Sequence, residues 1–217
     1  MTAAPTALLA GATGLVGSEC LRLLAAEPQF AEVRALFRRP LPAAERLPKV
    51  RECITDFARL AEHPDWFAVS HVFCALGTTI KVAGSQAAFR QVDFDYPLTI
   101  ARLAKAQGAQ HFYLVSALGA DARSAVFYNR VKGELEEALT ALGFASLTLA
   151  RPSLLMGERR EFRFGEELGK RLAWLVPGPW RPVAARQVAA GLVQAARRDA
   201  RGVRVLSNRE LRASRLA

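Results

Sequence analysis

An α/β fold built on a doubly wound parallel sheet is what the sequence predicts, and two observations predict it. Short apolar runs alternate with longer amphipathic stretches, the rhythm of βαβ units. The runs are continuously apolar, as strands buried on both faces of a parallel sheet are, and do not alternate apolar with polar. The 217 residues suit one such domain with a full core. That length leaves little room for a separate substrate domain, and residues 153–182 read as a small C-terminal substrate-side flap.

The elements follow in order. Ala7–Ala10 is a short buried strand, and Gly17–Ala26 a helix with apolar Cys20, Leu21, Leu23 and Leu24. Val33–Phe37, Arg51–Thr55 and His71–Ala75 are the next three strands. Gln86–Gly108 reads as one long helix kinked by Pro97. Phe112–Val115 is a fifth strand, Tyr128–Leu142 a helix stopped by Gly143, and Ser146–Ala150 a sixth strand. Beyond Pro152 the rhythm changes. Arg159–Phe164 is charged and irregular, and Glu166–Leu175 is a short helix. Pro177–Pro182 is a proline/glycine cluster. Arg186–Arg198 is helical and Val203–Leu206 is a last strand.

The first strand runs into Gly11-Ala12-Thr13-Gly14-Leu15-Val16-Gly17 and then a helix. Three glycines between a strand and a helix allow a tight turn, close approach of backbone to a pyrophosphate, and close packing of helix on strand. The helix N-terminus adds unpaired N–H groups and a positive dipole end. The sheet is therefore expected to be of Rossmann type and to bind a dinucleotide. In NAD-binding domains of this kind an acid ends the second strand and holds the ribose 2′-OH. Here Arg38 and Arg39 stand there. A guanidinium pair grips a 2′-phosphate through charge-assisted bonds, so NADP(H) is expected over NAD(H).

Tyr128-Asn129-Arg130-Val131-Lys132 puts a phenol and an ammonium on one helix face. Ser116, directly after the fifth strand, converges on the same point. Reducing a carbonyl needs a hydride on carbon and a proton on oxygen. A tyrosine supplies the proton, but with an ordinary pKa near 10 only about 0.1% is ionised at pH 7. A nearby cation stabilises the phenolate, a role for Lys132, while Ser116 fixes the substrate oxygen.

Composition limits the other readings. The net charge is +10, and only five of thirty cationic residues are lysines. The charge is scattered, denser only from Arg186 to Arg215, and that stretch has no aromatic residue for base stacking. A nucleic-acid partner is not expected. Cys20, Cys53 and Cys74 lie far apart in apolar runs and read as buried free thiols in a reducing compartment. His63, His71 and His111 lack metal-ligand spacing, so no metal is expected. With no secretory signal and no 18-residue apolar run, the expectation is a cytoplasmic protein that does not span a membrane. A homo-oligomer is compatible with the sequence.

These residues together resemble the atypical branch of the short-chain dehydrogenase/reductase superfamily. Across Phe73–Asp121 the strings VFCALGTT and AGSQAAFRQVDFDYPLTIARLAKAQGAQHFYLVSALGAD are similar to the Tat-interacting-protein oxidoreductase family, and YNRVKGELEEAL and ARPSLLMGER extend the match. The resemblance implies NADPH binding by Gly11, Thr13, Gly14, Leu15, Val16 and Gly17, and catalysis by Ser116, Tyr128 and Lys132 on a small carbonyl or alcohol. It implies that Asp56, beside Phe57, contacts the adenine amine; the residues alone equally allow Asp56 to cap the next helix. It places Ala75, Leu76, Gly77 and Thr78 along the ribose and nicotinamide, with Pro152 and Ser153 near the ring. Asp93 departs from the pattern, since many superfamily members carry there an asparagine of a proton relay. The alternative is a non-catalytic NADPH-binding regulator whose partner surface includes Trp174, Leu175, Val176 and Trp180.

Overall fold

The computed structural model describes residues 4–156 and 178–215. Seven parallel strands make the main sheet: β1 Thr6–Ala10, β2 Glu32–Phe37, β3 Val50–Ile54, β4 His71–Cys74, β5 His111–Val115, β6 Ser146–Ala150 and β9 Gly202–Leu206. Their order is β3-β2-β1-β4-β5-β6-β9. The chain thus winds outward from β1 in both directions, and the order reverses between β1 and β4. In open sheets of this kind ligands bind at that reversal, beyond the carboxyl ends of the strands. The helices are α1 Leu15–Ala26, α2 Ile80–Ala83, α3 Gln86–Arg90, α4 Tyr96–Ala106, α5 Phe127–Ala141, α6 Ala185–Arg198 and α7 Asn208–Ala213.

Successive strand residues feed two cores, one on each face. Leu9, Val33, Ala35, Phe73 and Tyr113 pack with Val16, Cys20 and Leu24 of α1 and with Val188 and Leu192 of α6. Leu8, Leu36, Val72, Leu114 and Leu149 pack with Ala101 and Ala104 of α4 and with Leu135 and Leu139 of α5. Full burial of each such aliphatic side chain contributes about 1.5–3 kcal/mol, which is why the strands read as unbroken apolar runs. All three cysteines are buried and unpaired; burial pushes the Cys74 thiol up to about 11.

The expected helix over Gln86–Gly108 is three pieces: α3, a π-helical turn Gln91–Asp95, and α4. Pro97 lies in the first turn of α4, where its missing N–H is harmless. The irregular turn, not the proline, interrupts the helix, and it buries Asp93 completely. Three other elements were too short to show a period. Helix α2 is capped by the Thr79 hydroxyl, which accepts from the Val82 N–H. The 3₁₀ segment Phe57–Glu62 is capped by Asp56, and α7 by Ser207. Arg159–Phe164, Glu166–Leu175 and most of the expected flap lie outside the described residues. The flap's two ends are joined, because β7 Leu155–Met156 pairs in parallel with β8 Val183–Ala184.

At the amino ends of β4 and β5, His71 and His111 stack 4.2 Å apart and 8° from parallel. Tyr113 and Phe73 stack beside them at 4.5 Å. Asp199 lies 3.2 Å from His111 Nδ1. Burial lowers the His71 pKa to about 4, His111 adds to the lowering, and Asp199 opposes it. The unfolded chain therefore takes this proton first. The contribution to stability is complete above about pH 6.5 and is lost as pH falls toward about 4. Denaturation midpoints measured from pH 7 to pH 4 should decline, and His71→Phe, which keeps a stacking ring, should flatten that decline. An unchanged slope in the variant would remove His71 from the account.

Candidate functional site

The glycine loop lies at the sheet's reversal point. Gly11 has φ +86°, and a Cβ there would overlap the carbonyl of Ala75, the first residue beyond β4. A Cβ on Gly17 would overlap the Gly11 carbonyl, so helix and loop touch through backbone. Gly14 is different: it caps α1 with no side chain, and the nearest atom to a Cβ there is the Gly11 oxygen at 3.3 Å. Thr13 and Gly14 are exposed, whereas Leu15 is half-buried and Val16 is buried in the α1 core. The first N–H groups of a helix have no partner within the helix, and here they stand behind an open glycine. That cradle fits the pyrophosphate of a dinucleotide.

Ser116 follows β5, and its N–H donates to Ala150 O at 2.8 Å. Its hydroxyl is buried and has no hydrogen-bond partner among the described residues. Tyr128 occupies the first turn of α5, half-buried, its ring 5.5 Å from that of Phe89. Lys132, one turn further on, is buried, and its Nζ lies 2.7 Å from Asp93 Oδ1. The other carboxylate oxygen, Oδ2, accepts from the Thr78 N–H at 2.8 Å. One buried acid thus ties α5 to the segment leaving β4. Gly77 lies against this pair: a Cβ there would stand in ordinary contact, 3.4 Å from Asp93 Oδ1 and 3.8 Å from Lys132 Nζ. Burial alone would lower the Lys132 pKa. Burial is the largest single influence, but the Asp93 charge, the Tyr128 phenol and the hydrogen bond to Asp93 together outweigh it, and the net shift is upward. Lys132 is therefore an ammonium at neutral pH.

The remaining expected residues fall into three groups. Arg38 and Arg39 are exposed just past the carboxyl end of β2. Asp56 Oδ1 accepts from the Ala58 N–H at 3.0 Å, so the capping role is present. Phe57 is buried, with its ring 5.6 Å from that of Tyr96. Ala75 donates its N–H to Ala10 O at 2.9 Å, and Leu76 packs against the α4/α5 core. The Pro152 carbonyl accepts from Leu118 N–H at 2.7 Å. Ser153 is engaged twice within the protein, its N–H donating to Asn208 Oδ1 at 3.0 Å and its hydroxyl to Arg181 O at 2.6 Å. Of the alternative partner surface, Trp180 is exposed, while Trp174, Leu175 and Val176 lie outside the described residues. In the basic stretch Arg186–Arg215, Arg197 pairs with Glu27 and Arg204 with Glu210.

Sequence reasoning located Asp93 but not its partner. A signal was present: Phe89, Asp93, Pro97 and Ile100 recur at helical spacing, so Asp93 is a lone acid on an otherwise apolar stripe. Such a residue needs a buried counter-charge. Asn208, which anchors Ser153, gave no signal, since α7 was not anticipated.

Residues 11–164 match a family described as NAD(P)H-binding. Protein HTATIP2 of Rattus norvegicus is 38% identical over 172 residues, 78% of this chain and 71% of that protein. "Protein FMP52-1, mitochondrial" of Scheffersomyces stipitis is 36% identical over 162 residues, 71% of this chain and 69% of that protein. Two solved structures share the fold at low identity. MoeE5 in complex with UDP-glucose and NAD has a TM-score of 0.72 at 17% identity, covering 95% of this chain and 79% of its own. UDP-glucose 4-epimerase of Thermotoga maritima has 0.71 at 14%, covering 93% and 76%. The expectation of a cytoplasmic protein is overturned, because relatives from several fungi are named mitochondrial. Among the described residues no helix is long and apolar enough to cross a membrane. With the glycine cradle at the strand-order reversal and these matches in hand, the chain belongs to the NAD(P)H-binding family.

Proposed function

We propose that this chain is an NADP(H)-dependent oxidoreductase that reduces a small carbonyl, or oxidises the corresponding alcohol, with Tyr128 as acid and base. The observation that carries the reading is the buried, unpartnered hydroxyl of Ser116. Leaving such a group unsatisfied costs about 1–3 kcal/mol, and a ligand oxygen at that position removes the cost. Membership of an NAD(P)H-binding family supports the cofactor class.

The cofactor, when bound, supplies or accepts the hydride at the substrate carbon. The chain does the rest. The N–H groups at the start of α1 hold the pyrophosphate, with Gly14 letting it approach. Arg38 and Arg39 hold a 2′-phosphate. Ser116 donates to the carbonyl oxygen and fixes its direction. As hydride reaches carbon, the oxygen takes the Tyr128 hydroxyl proton, so the carbonyl becomes an alcohol and Tyr128 is reprotonated from solvent. The Lys132 ammonium favours the transient phenolate. Asp93 is a positioning residue: its carboxylate is committed to Lys132 and to the Thr78 N–H and takes the place of a relay asparagine.

Three outcomes test this reading. Tyr128→Phe should lower turnover by about 10²–10⁴-fold while NADPH affinity in a fluorescence titration stays as in the wild type; wild-type turnover would assign the proton elsewhere. Replacing either Arg38 or Arg39 by Ala should weaken NADPH binding by about 10–100-fold, the loss of one charge-assisted bond, and leave NADH binding unchanged. Asp93→Ala should lower unfolding stability by about 3–5 kcal/mol, because Lys132 is then buried and unpaired. A denaturation curve that matches the wild type would contradict that pairing.

A further inference from the structure

The carboxyl edge of the sheet has two chemical halves. Beyond β1 and β2 the exposed groups include Thr13, Gly14, Arg38 and Arg39, and no large apolar side chain is exposed there among the described residues. Beyond β4, β5 and β6 large apolar side chains are exposed among polar and charged ones. Six large hydrophobic side chains are exposed on these segments: Ile80, Val82, Val126, Leu154, Met156 and Trp180. Only Ile54, on β3, and Val203 and Val205, on β9, are exposed to a comparable degree elsewhere among the described residues.

The six are placed by the same backbone that places the proposed site. Val82 is 70% exposed and lies one helical turn beyond Thr78. Val126 is 57% exposed and precedes Tyr128 by two residues. Leu154 is 71% exposed and follows Ser153 directly. Trp180 adjoins Arg181, whose carbonyl accepts from the Ser153 hydroxyl. The Leu154 carbonyl accepts from the Val183 N–H at 3.0 Å, which holds that segment to the β8 side. Strands β4, β5 and β6 are neighbours in parallel register, so the three segments emerge side by side. Lys81, Arg123 and Arg181 stand on the same segments, and exposed Asp121, 3.9 Å from Arg123 Nε, offsets one of them.

Contiguous exposed apolar groups on a soluble protein mark binding surfaces. A polyhydroxylated substrate needs hydrogen-bond partners, which these side chains lack. Resting on the oxidoreductase reading above, we propose that the substrate is a carbonyl compound bearing an extended apolar group, which lies across Val82, Val126 and Leu154 while its carbonyl reaches Ser116 and Tyr128. The step balances as before: hydride from NADPH to the carbonyl carbon, a proton to the oxygen, alcohol and NADP⁺ as products.

The test is NADPH oxidation with unbranched alkanals of increasing length, kept below micelle formation, against glyceraldehyde and an aldopentose. The expected result is a kcat/KM that rises about two- to fourfold per added methylene, the upper value being full burial. The double variant Val82→Ser, Leu154→Ser should flatten that rise. Turnover with a flat profile, or a preference for the hydroxylated aldehydes, overturns the substrate class and leaves the oxidoreductase reading standing. A flat profile together with binding to phosphatidylcholine vesicles that the double variant loses assigns the patch to a lipid surface and overturns it too. NADPH binding with no turnover of any aldehyde overturns the oxidoreductase reading and this inference with it.

Discussion

A single buried charge pair, Lys132 with Asp93, holds the site half of the molecule together. Both side chains are almost completely removed from water, where an unpaired charge is strongly destabilising. The pair therefore fixes the distance between α5, which carries Tyr128, and the π-helical turn ahead of α4. The second carboxylate oxygen extends the constraint to the Thr78 N–H, and through it to the segment leaving β4. Three elements distant in sequence are thus set by one carboxylate. Charge balance has a further consequence. An ammonium facing a carboxylate presents a weaker field to its surroundings than a lone ammonium does, so the influence of Lys132 on the phenol one turn away is moderated by Asp93.

The other half is held by close backbone contact. Gly11 meets the Ala75 carbonyl, and Gly17 meets Gly11, at the point where strand order reverses. Two neighbouring strands thereby present their ends in fixed relation. The pyrophosphate cradle stands on one side of that contact and the Lys132–Asp93 pair, beside Gly77, on the other.

Much of this was legible in the sequence. Every strand of the main sheet lay within a residue or two of its expected bounds. For the inner strands this is because burial on both faces leaves an apolar run that needs no partner to be recognised. The edge strands β3 and β9, partly exposed, were marked by short β-branched runs. The glycine loop was legible for the opposite reason, since its chemistry is local. What escaped was whatever depends on a partner far along the chain. The break in the Gln86–Gly108 helix was ascribed to Pro97, although the turn that accommodates Asp93 precedes it. Asp93 was read as a departure from a relay and proved to be the counter-ion of Lys132, thirty-nine residues away. Asn208 and Arg181, the hydrogen-bond partners of Ser153, were not anticipated, since both lie far along the chain. Short capped elements such as α2 and α7 carry too few residues for a period, and only their Thr79 and Ser207 caps could have announced them.

The central claim is spatial: a nicotinamide held by the α1 cradle comes to rest beside Ser116 and Tyr128. A crystal structure of the protein with NADPH bound measures this directly. The account predicts the pyrophosphate at Gly14 and the nicotinamide ring next to the Tyr128 and Ser116 hydroxyls, with the 2′-phosphate at Arg38 and Arg39. A nicotinamide directed away from α5, or a pyrophosphate seated anywhere but on the glycine turn, would contradict it.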